Sequence, residues 1–150
     1  MTPSRNRVAV VHGVNLDQLG RRPAAHYGGL NFDALERQIG VYADELGMVP
    51  RFYQSNDEGE FIGHLHRLGD MVDAILINPG AWTHYAWSIH DALEIAALPA
   101  VEVHLSDVMA REEWRRISVI QDLCVATVSG EGVEGYRTAL TRLKQELNAP

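Results

Sequence analysis

Three polar clusters in this chain carry side chains suited to moving protons. The first holds Asn15, Arg21, Arg22 and Tyr27 on one stretch. The second runs Glu102-Val103-His104-Leu105-Ser106 and is followed by Arg111 and Arg115. The third runs Asn78-Pro79-Gly80-Ala81-Trp82-Thr83-His84. A tyrosine, with an ordinary pKa near ~10, is a poor base at neutral pH. A neighbouring guanidinium favours the phenolate, and roughly 3–4 kcal/mol of differential stabilisation would bring such a group into use as a base. Arg21, Arg22 and Tyr27 share one loop, so closure of that loop can assemble the arrangement. In Glu102-x-His104 the two side chains face the same side of a strand. The carboxylate can then orient the imidazole or favour its protonated, acid form. Ser106 shares that face and could bind a substrate carboxylate. Each residue also has a plainer reading. Tyr27 could cover core, Arg22 could be a solvated charge, and His104 could be a satisfied buried histidine. Asn78 and Ser106 could cap neighbouring backbone.

The elements that must position these groups alternate short apolar runs with longer amphipathic ones. The pattern predicts strands at Arg7–His12, Val49–Gln54, Ala74–Asn78, Ala100–Leu105 and Cys124–Val128. It predicts helices at Phe32–Leu46, Glu58–Leu68, Thr83–Ala97 and Val133–Leu147, with a short one over Arg111–Arg116. Gly47 stands just past the first of these helices, where a left-handed C-terminal residue is favoured. Strands alternating with helices imply a parallel sheet covered on both faces. The expected fold is therefore α/β, a flavodoxin-like doubly wound five-stranded parallel sheet in a single catalytic domain over residues 1–150. In such folds ligands bind beyond the carboxyl ends of the strands, at the switch in strand order. The three clusters follow strands one, three and four. The connection from Asn15 to Tyr27 is longer than an ordinary βα loop, which marks it as functional. It is expected to be a mobile active-site loop.

Composition removes several function classes. A formal net charge of −7 argues against a general nucleic-acid binder; an anionic substrate would need locally placed cations. Cys124 is the single cysteine, which leaves no intrachain disulfide and no cysteine zinc site. It lies in an apolar run and reads as a buried thiol. Lys144 is the single lysine, on a surface face of the last helix, so imine chemistry is not expected. Met1 to Arg7 lacks a signal-peptide core, and no apolar run has membrane length, so a cytoplasmic location is expected. His64 and His66 point apart on a helix, and no metal-ligand spacing is present; no metal and no cofactor is expected. His12, His26 and His90 read as structural or surface residues. Gly130-x-Gly132-x-x-Gly135 matches a dinucleotide pattern but follows the last strand, with acidic Glu131 and Glu134 that would repel a pyrophosphate. It reads as tight packing at a helix start.

At these residues the chain resembles the type II 3-dehydroquinate dehydratases, nearly end to end. The family's first motif appears as Gly13-Val14-Asn15-Leu16, Leu19-Gly20, Arg22-Pro23 and Tyr27-Gly28. The second appears as Gln54-Ser55-Asn56, Glu58-Gly59-Glu60, Ile62 and His66. The third appears as Asn78-Pro79-Gly80-Ala81, Thr83-His84, Ile89 and Asp91-Ala92-Leu93. The fourth appears as Glu102-Val103-His104-Leu105-Ser106, Arg111-Glu112 and Arg115. The fifth appears as Gly130, Gly132, Gly135-Tyr136 and Ala139-Leu140. The chain departs from the family at Val14 (usually Pro), Pro23-Ala24 (usually Glu-Pro), Tyr85-Ala86 (usually Thr-Ser) and His90 (usually Arg).

The resemblance implies elimination of water from 3-dehydroquinate to give 3-dehydroshikimate, without metal or cofactor. Tyr27 would abstract the C2 proton as phenolate, and Arg22 would hold it ionised. Asn15 would help hold a water that stabilises the enolate. His104, with Asn78 nearby, would protonate the leaving C1 hydroxyl, with Glu102 in support. The backbone at Leu105 and the hydroxyl of Ser106 would bind the substrate carboxylate. His84 and Arg115 would bind ring hydroxyls. Asp91 would reach a site across a trimer interface, in trimers assembled into a dodecamer. The same reaction serves the shikimate pathway, which leads to aromatic amino acids, and quinate catabolism. Two other readings stay open: the same chemistry on a related cyclic hydroxy-acid, and a non-catalytic flavodoxin-like binding module. Along the expected third helix Asp91 also lies two turns after His84, where an intrachain hydrogen bond is the plainer reading.

Overall fold

The computed structural model describes residues 5–150. Part of the Met1 to Arg7 reading therefore lies outside the described residues. Five strands form one parallel sheet: β1 Arg7–His12, β2 Val49–Gln54, β3 Ala74–Asn78, β4 Ala100–His104 and β5 Ala126–Ser129. Their order is β2-β1-β3-β4-β5, and every pairing is parallel. The doubly wound α/β expectation holds.

Alternation along the strands divides the core in two. Val8 and Val10 of β1 face one side with Ala74 and Leu76 of β3, while Ala9 and Val11 face the other with Ile75 and Ile77. The first side is covered by two helices, Phe32–Glu45 and Glu134–Asn148, through Leu35, Ile39, Leu140 and Leu143. The second is covered by the helices Glu58–Arg67 and Trp87–Ala96, through Phe61, Leu65, Ile89 and Leu93. A short helical turn, Ala24–Tyr27, precedes all four. In chain order these are α1 Ala24–Tyr27, α2 Phe32–Glu45, α3 Glu58–Arg67, α4 Trp87–Ala96 and α5 Glu134–Asn148. Local signals start two of them. The Asn31 side chain accepts from the Ala34 amide at 2.8 Å to cap α2, and Asp57 does the same with Glu60 at 2.8 Å for α3. β2 is an edge strand, the position where its Pro50 costs no ladder bond that matters.

After β1 the chain turns outward to β2, then returns to β3 on the other side, so the switch in strand order lies between β1 and β3. The two strands leave the sheet almost in contact. A Cβ on Gly13 would fall 2.2 Å from the Pro79 carbonyl oxygen, and one on Gly80 2.5 Å from that of Val14. Gly80 also holds φ +66°. Only glycine permits this approach.

The expected helix Thr83–Ala97 is corrected. Gly80–His84 forms a 3₁₀ turn, and α4 begins only at Trp87. Thr83 is pulled inward: its hydroxyl is bonded to Glu102, and its carbonyl accepts from Val119 N at 2.7 Å. The expected helix Arg111–Arg116 is two 3₁₀ turns, Val108–Ala110 and Glu113–Arg116. β5 begins at Ala126 rather than Cys124, because a 3₁₀ turn at Gln121–Leu123 delivers the chain later. Cys124 is half-buried, and burial pushes its thiol pKa up to about 12. Among the described residues no helix is long and apolar enough to cross a membrane.

Candidate active site

The stretch from Asn15 to Tyr27 is more ordered than a plain loop. It holds a 3₁₀ turn at Leu16–Arg21 followed by α1, and the buried side chains of Leu16 and Leu19 pin it to the core. Asn15 takes a left-handed conformation, φ 68°, and its amide donates to Asn56 Oδ1 at 2.8 Å. So tethered, the stretch lines one side of a cavity of about 350 Å³ at the carboxyl ends of β1, β3 and β4. That volume suits a small-molecule site.

Tyr27 and Arg22 meet there. Arg22 Nη2 donates to the Tyr27 hydroxyl oxygen at 2.7 Å, with its guanidinium 4.5 Å from the ring centre. A second cation reaches the same oxygen. Arg111, from the segment after β4, donates through Nη1 at 2.6 Å, and the same nitrogen lies 3.2 Å from Ser106 Oγ. Two guanidinium groups thus face the one oxygen that would carry charge as a phenolate. Arg21 instead bonds Gln18 on the exposed side.

Across the cavity, β4 supplies the second group. Glu102 is fully buried, and three donors converge on its carboxylate. His104 Nε2 lies 2.5 Å from Oε2, Thr83 Oγ1 2.5 Å from Oε2, and Ser118 Oγ 2.6 Å from Oε1. Burial works against ionisation of Glu102. The hydrogen bond and charge of His104, with the Ser118 and Thr83 hydroxyls, outweigh it and leave the carboxyl below its ordinary range. An ionised carboxylate on Nε2 fixes the orientation of the imidazole, which leaves Nδ1 free of that contact. The plainer reading of His104 as a satisfied buried histidine is half true, since its Nε2 is satisfied and the ring still lines the cavity.

The remaining polar groups arrange themselves between these two. His84 Nδ1 lies 2.6 Å from the Ile117 carbonyl, so that nitrogen carries the proton and Nε2 is an acceptor. Burial holds His84 below the ordinary histidine range. Arg115 lines the cavity, ion-paired with Glu112 and stacked on Trp114 at 4.1 Å. Asn78 also lines it: its Oδ1 accepts from Gly80 N at 3.1 Å and its Nδ2 donates to Tyr136 at 3.1 Å. Leu105 and Ser106 are buried at its floor, and the carbonyls of this turn are held by the amides of Gly132 and Gly130. The glycine pattern that resembled a dinucleotide loop is thus a clamp on the site's own turn.

Of the residues singled out from sequence, Asn15, Arg22, Tyr27, Asn78, His84, His104, Leu105, Ser106 and Arg115 line one cavity. Glu102 backs His104 from the sheet. Asp91 is not among them. It sits on α4 with its side chain 72% exposed, bonded to His90 at 3.0 Å. The expected bond along one helix to His84 fails, because His84 belongs to the 3₁₀ turn before α4. His12, read as structural or surface, is fully buried and bonded to Tyr136. Sequence reading passed over Arg111's part. Its one signal was its place as the first arginine after Ser106 in an acidic chain. Thr83 stood in the third cluster without an assigned role, and Ser118 was not singled out; both hold Glu102. His64 stacks on Tyr53 at 3.7 Å, and no group of three metal-ligating side chains occurs among the described residues.

Comparison with known proteins agrees with this geometry. A family model described as Dehydroquinase class II matches residues 6–144. The chain is 44% identical to a protein of Caldicellulosiruptor saccharolyticus named 3-dehydroquinate dehydratase, over 94% of this chain and 98% of that one. A Thermotoga maritima protein of the same name is 44% identical, over 94% and 96% of the two chains. The crystal structure of the type II dehydroquinase from Butyrivibrio crossotus superposes with a TM-score of 0.89 at 38% identity, over 94% of this chain and 99% of that one.

Proposed function

This chain belongs to the class II dehydroquinase family, and on that footing we propose that it eliminates water from 3-dehydroquinate to give 3-dehydroshikimate. The observation that carries the reading is the pair of guanidinium groups on the Tyr27 oxygen, in the same cavity as a histidine backed by a buried carboxylate. Tyr27, as phenolate, takes the C2 proton. The C–H electron pair passes into an enolate, whose negative charge is met by Arg22 and by a water held with Asn15. The enolate then collapses to the C1–C2 double bond as the C1–O bond breaks. His104 gives its proton to the departing oxygen, which leaves as water, while Glu102 stabilises the imidazolium up to that point. Exchange with solvent returns Tyr27 and His104 to their starting states. Ser106 and the Leu105 backbone hold the substrate carboxylate. His84, as an acceptor, and Arg115, as a donor, hold ring hydroxyls, and Asn78 sits beside the leaving group. Tyr85, Trp87 and His90, where the chain departs from its family, do not line the cavity, so they supply no reason to prefer another cyclic acid.

We further propose one catalytic domain over residues 1–150, acting in the cytoplasm as trimers assembled into a dodecamer. Exposed Tyr85 and Trp87 beside Asp91 support an interface there, through which Asp91 would serve a neighbouring protomer's site. Light scattering on the purified protein reads the assembly directly. For the reaction, EDTA-treated protein is mixed with 3-dehydroquinate and the conjugated enone is followed in the ultraviolet. Turnover is expected, and its absence overturns the reading. Tyr27→Phe should lower kcat by roughly 10²–10⁴-fold, the usual contribution of a positioned general base; full activity in that variant would remove Tyr27 as the base.

A further inference from the structure

A buried chain of polar groups leads away from Asn78 into the core on the far side from the substrate cavity. Asn78 Nδ2 lies 3.1 Å from the Tyr136 hydroxyl, and that hydroxyl lies 2.8 Å from His12 Nε2. Tyr136 comes from α5 and His12 from the end of β1. Both are fully buried, and Asn78 is 3% exposed. None of the three is near a charged partner that would hold it. Two polar side chains at 0% exposure are costly to keep unless they do something that an apolar pair would not.

Donor and acceptor counting gives the chain a direction. Asn78 Oδ1 is fixed by the Gly80 amide at 3.1 Å, so the opposite side of that carboxamide, toward Tyr136, is the NH₂. The Tyr136 oxygen therefore accepts from Asn78, and its one proton is free to go to His12. Burial holds Tyr136 firmly in its phenol form and keeps His12 neutral, near pKa 3. A neutral imidazole that accepts at Nε2 carries its proton on Nδ1. That atom has no polar partner, and the ring stands perpendicular to Phe32 at 5.2 Å.

We propose that His12 and Tyr136 are positioning residues that hold the Asn78 carboxamide, whose polarity the Gly80 amide sets, so that its second N–H points into the cavity as a donor for the substrate oxygen. Without them the amide has one anchor, at Gly80, and can swing. With them it has a second anchor, itself held through two hydrogen bonds. The inference rests on the dehydratase reading for what the donor meets, but the chain itself does not.

Two measurements test it. Solid-state ¹⁵N NMR of histidine-labelled protein, with His12 assigned by its disappearance in His12→Phe, should show a protonated Nδ1 and a bare Nε2. A protonated Nε2 would overturn the direction of the chain. Kinetics with 3-dehydroquinate then read its consequence. Tyr136→Phe should lower kcat about 10-fold, the scale of one neutral hydrogen bond, with KM changed less than about 3-fold. In an Asn78→Ala background the same substitution should cost less than about 2-fold. An equal loss in both backgrounds means that Tyr136 acts only on the fold, and overturns the proposal. Should Tyr136→Phe fail to fold, His12→Phe is run through the same cycle with the same two outcomes. If the wild type does not turn over 3-dehydroquinate, the function reading fails, and the tautomer alone decides this inference.

Discussion

Replacing Glu102 with glutamine removes one charge and almost no volume. The wild-type carboxylate takes His104 and Thr83 on one oxygen and Ser118 on the other. A glutamine can reproduce this pattern. Its oxygen would accept from His104 and Thr83, and its NH₂ would face Ser118, whose hydroxyl can turn to accept and donate instead to Thr83 Oγ1 at 3.2 Å. What is lost is the counter-charge to the imidazolium. With charge centres roughly 4 Å apart and an effective dielectric of about 20, that attraction is about 4 kcal/mol. The difference between a charged and a neutral hydrogen bond sets a floor of about 1 kcal/mol. At about 1.4 kcal/mol per tenfold, kcat should fall between roughly 5- and 1,000-fold at pH 7, with the melting temperature nearly unchanged. Steady-state assays on the enone read the rate. A variant within about 3-fold of wild type would refute the role given to the carboxylate's charge. Stability against pH supplies an independent check. The folded-state pKa of Glu102 lies below its ordinary 4.5. The stability it contributes is therefore complete above about pH 4.5 and is lost as the pH falls through the folded value. Glu102→Gln should lack that acid-side loss.

Arg111→Met should lower kcat roughly 10- to 100-fold, since it removes one of two charge-assisted donors on Tyr27 and leaves Ser106 without its partner; an unchanged rate would show that Arg22 suffices. His12 stays neutral in the fold because burial lowers its pKa to about 3. It costs no stability above about pH 6.5, and costs progressively more as the pH falls from there toward 3, about 2 kcal/mol at pH 5. Denaturation of His12→Phe should show a correspondingly flatter pH dependence in that window, and parallel curves would contradict the burial. Gly80→Ala should destabilise by roughly 1–3 kcal/mol, because φ +66° and a Cβ 2.5 Å from the Val14 carbonyl leave it no room. A melting temperature equal to wild type would show that the β1 and β3 exits can separate.

Much of this protein is written locally. The sheet follows from apolar runs of strand length alternating with helical periodicity, and the parallel arrangement from the lengths between them. The site could be located because doubly wound sheets put their chemistry at strand ends: Asn78 and His104 close β3 and β4, and Tyr27 lies on the connection that follows β1. Glu102 and His104 could be paired because strand geometry puts residues two apart on one face. Tertiary structure decided the rest. Arg111 meets Tyr27 across 84 residues of chain, and His12 meets Tyr136 across 124. No periodicity encodes a contact at that separation. The start of α4 also escaped the sequence, because Thr83 gives up a helical position to bond a carboxylate on the neighbouring strand, nineteen residues on in the chain. Sequence determined which groups could do the chemistry and at which edge of the sheet. The fold decided which partners hold them, since the direction and charge of each hydrogen bond depend on what the packed chain brings alongside.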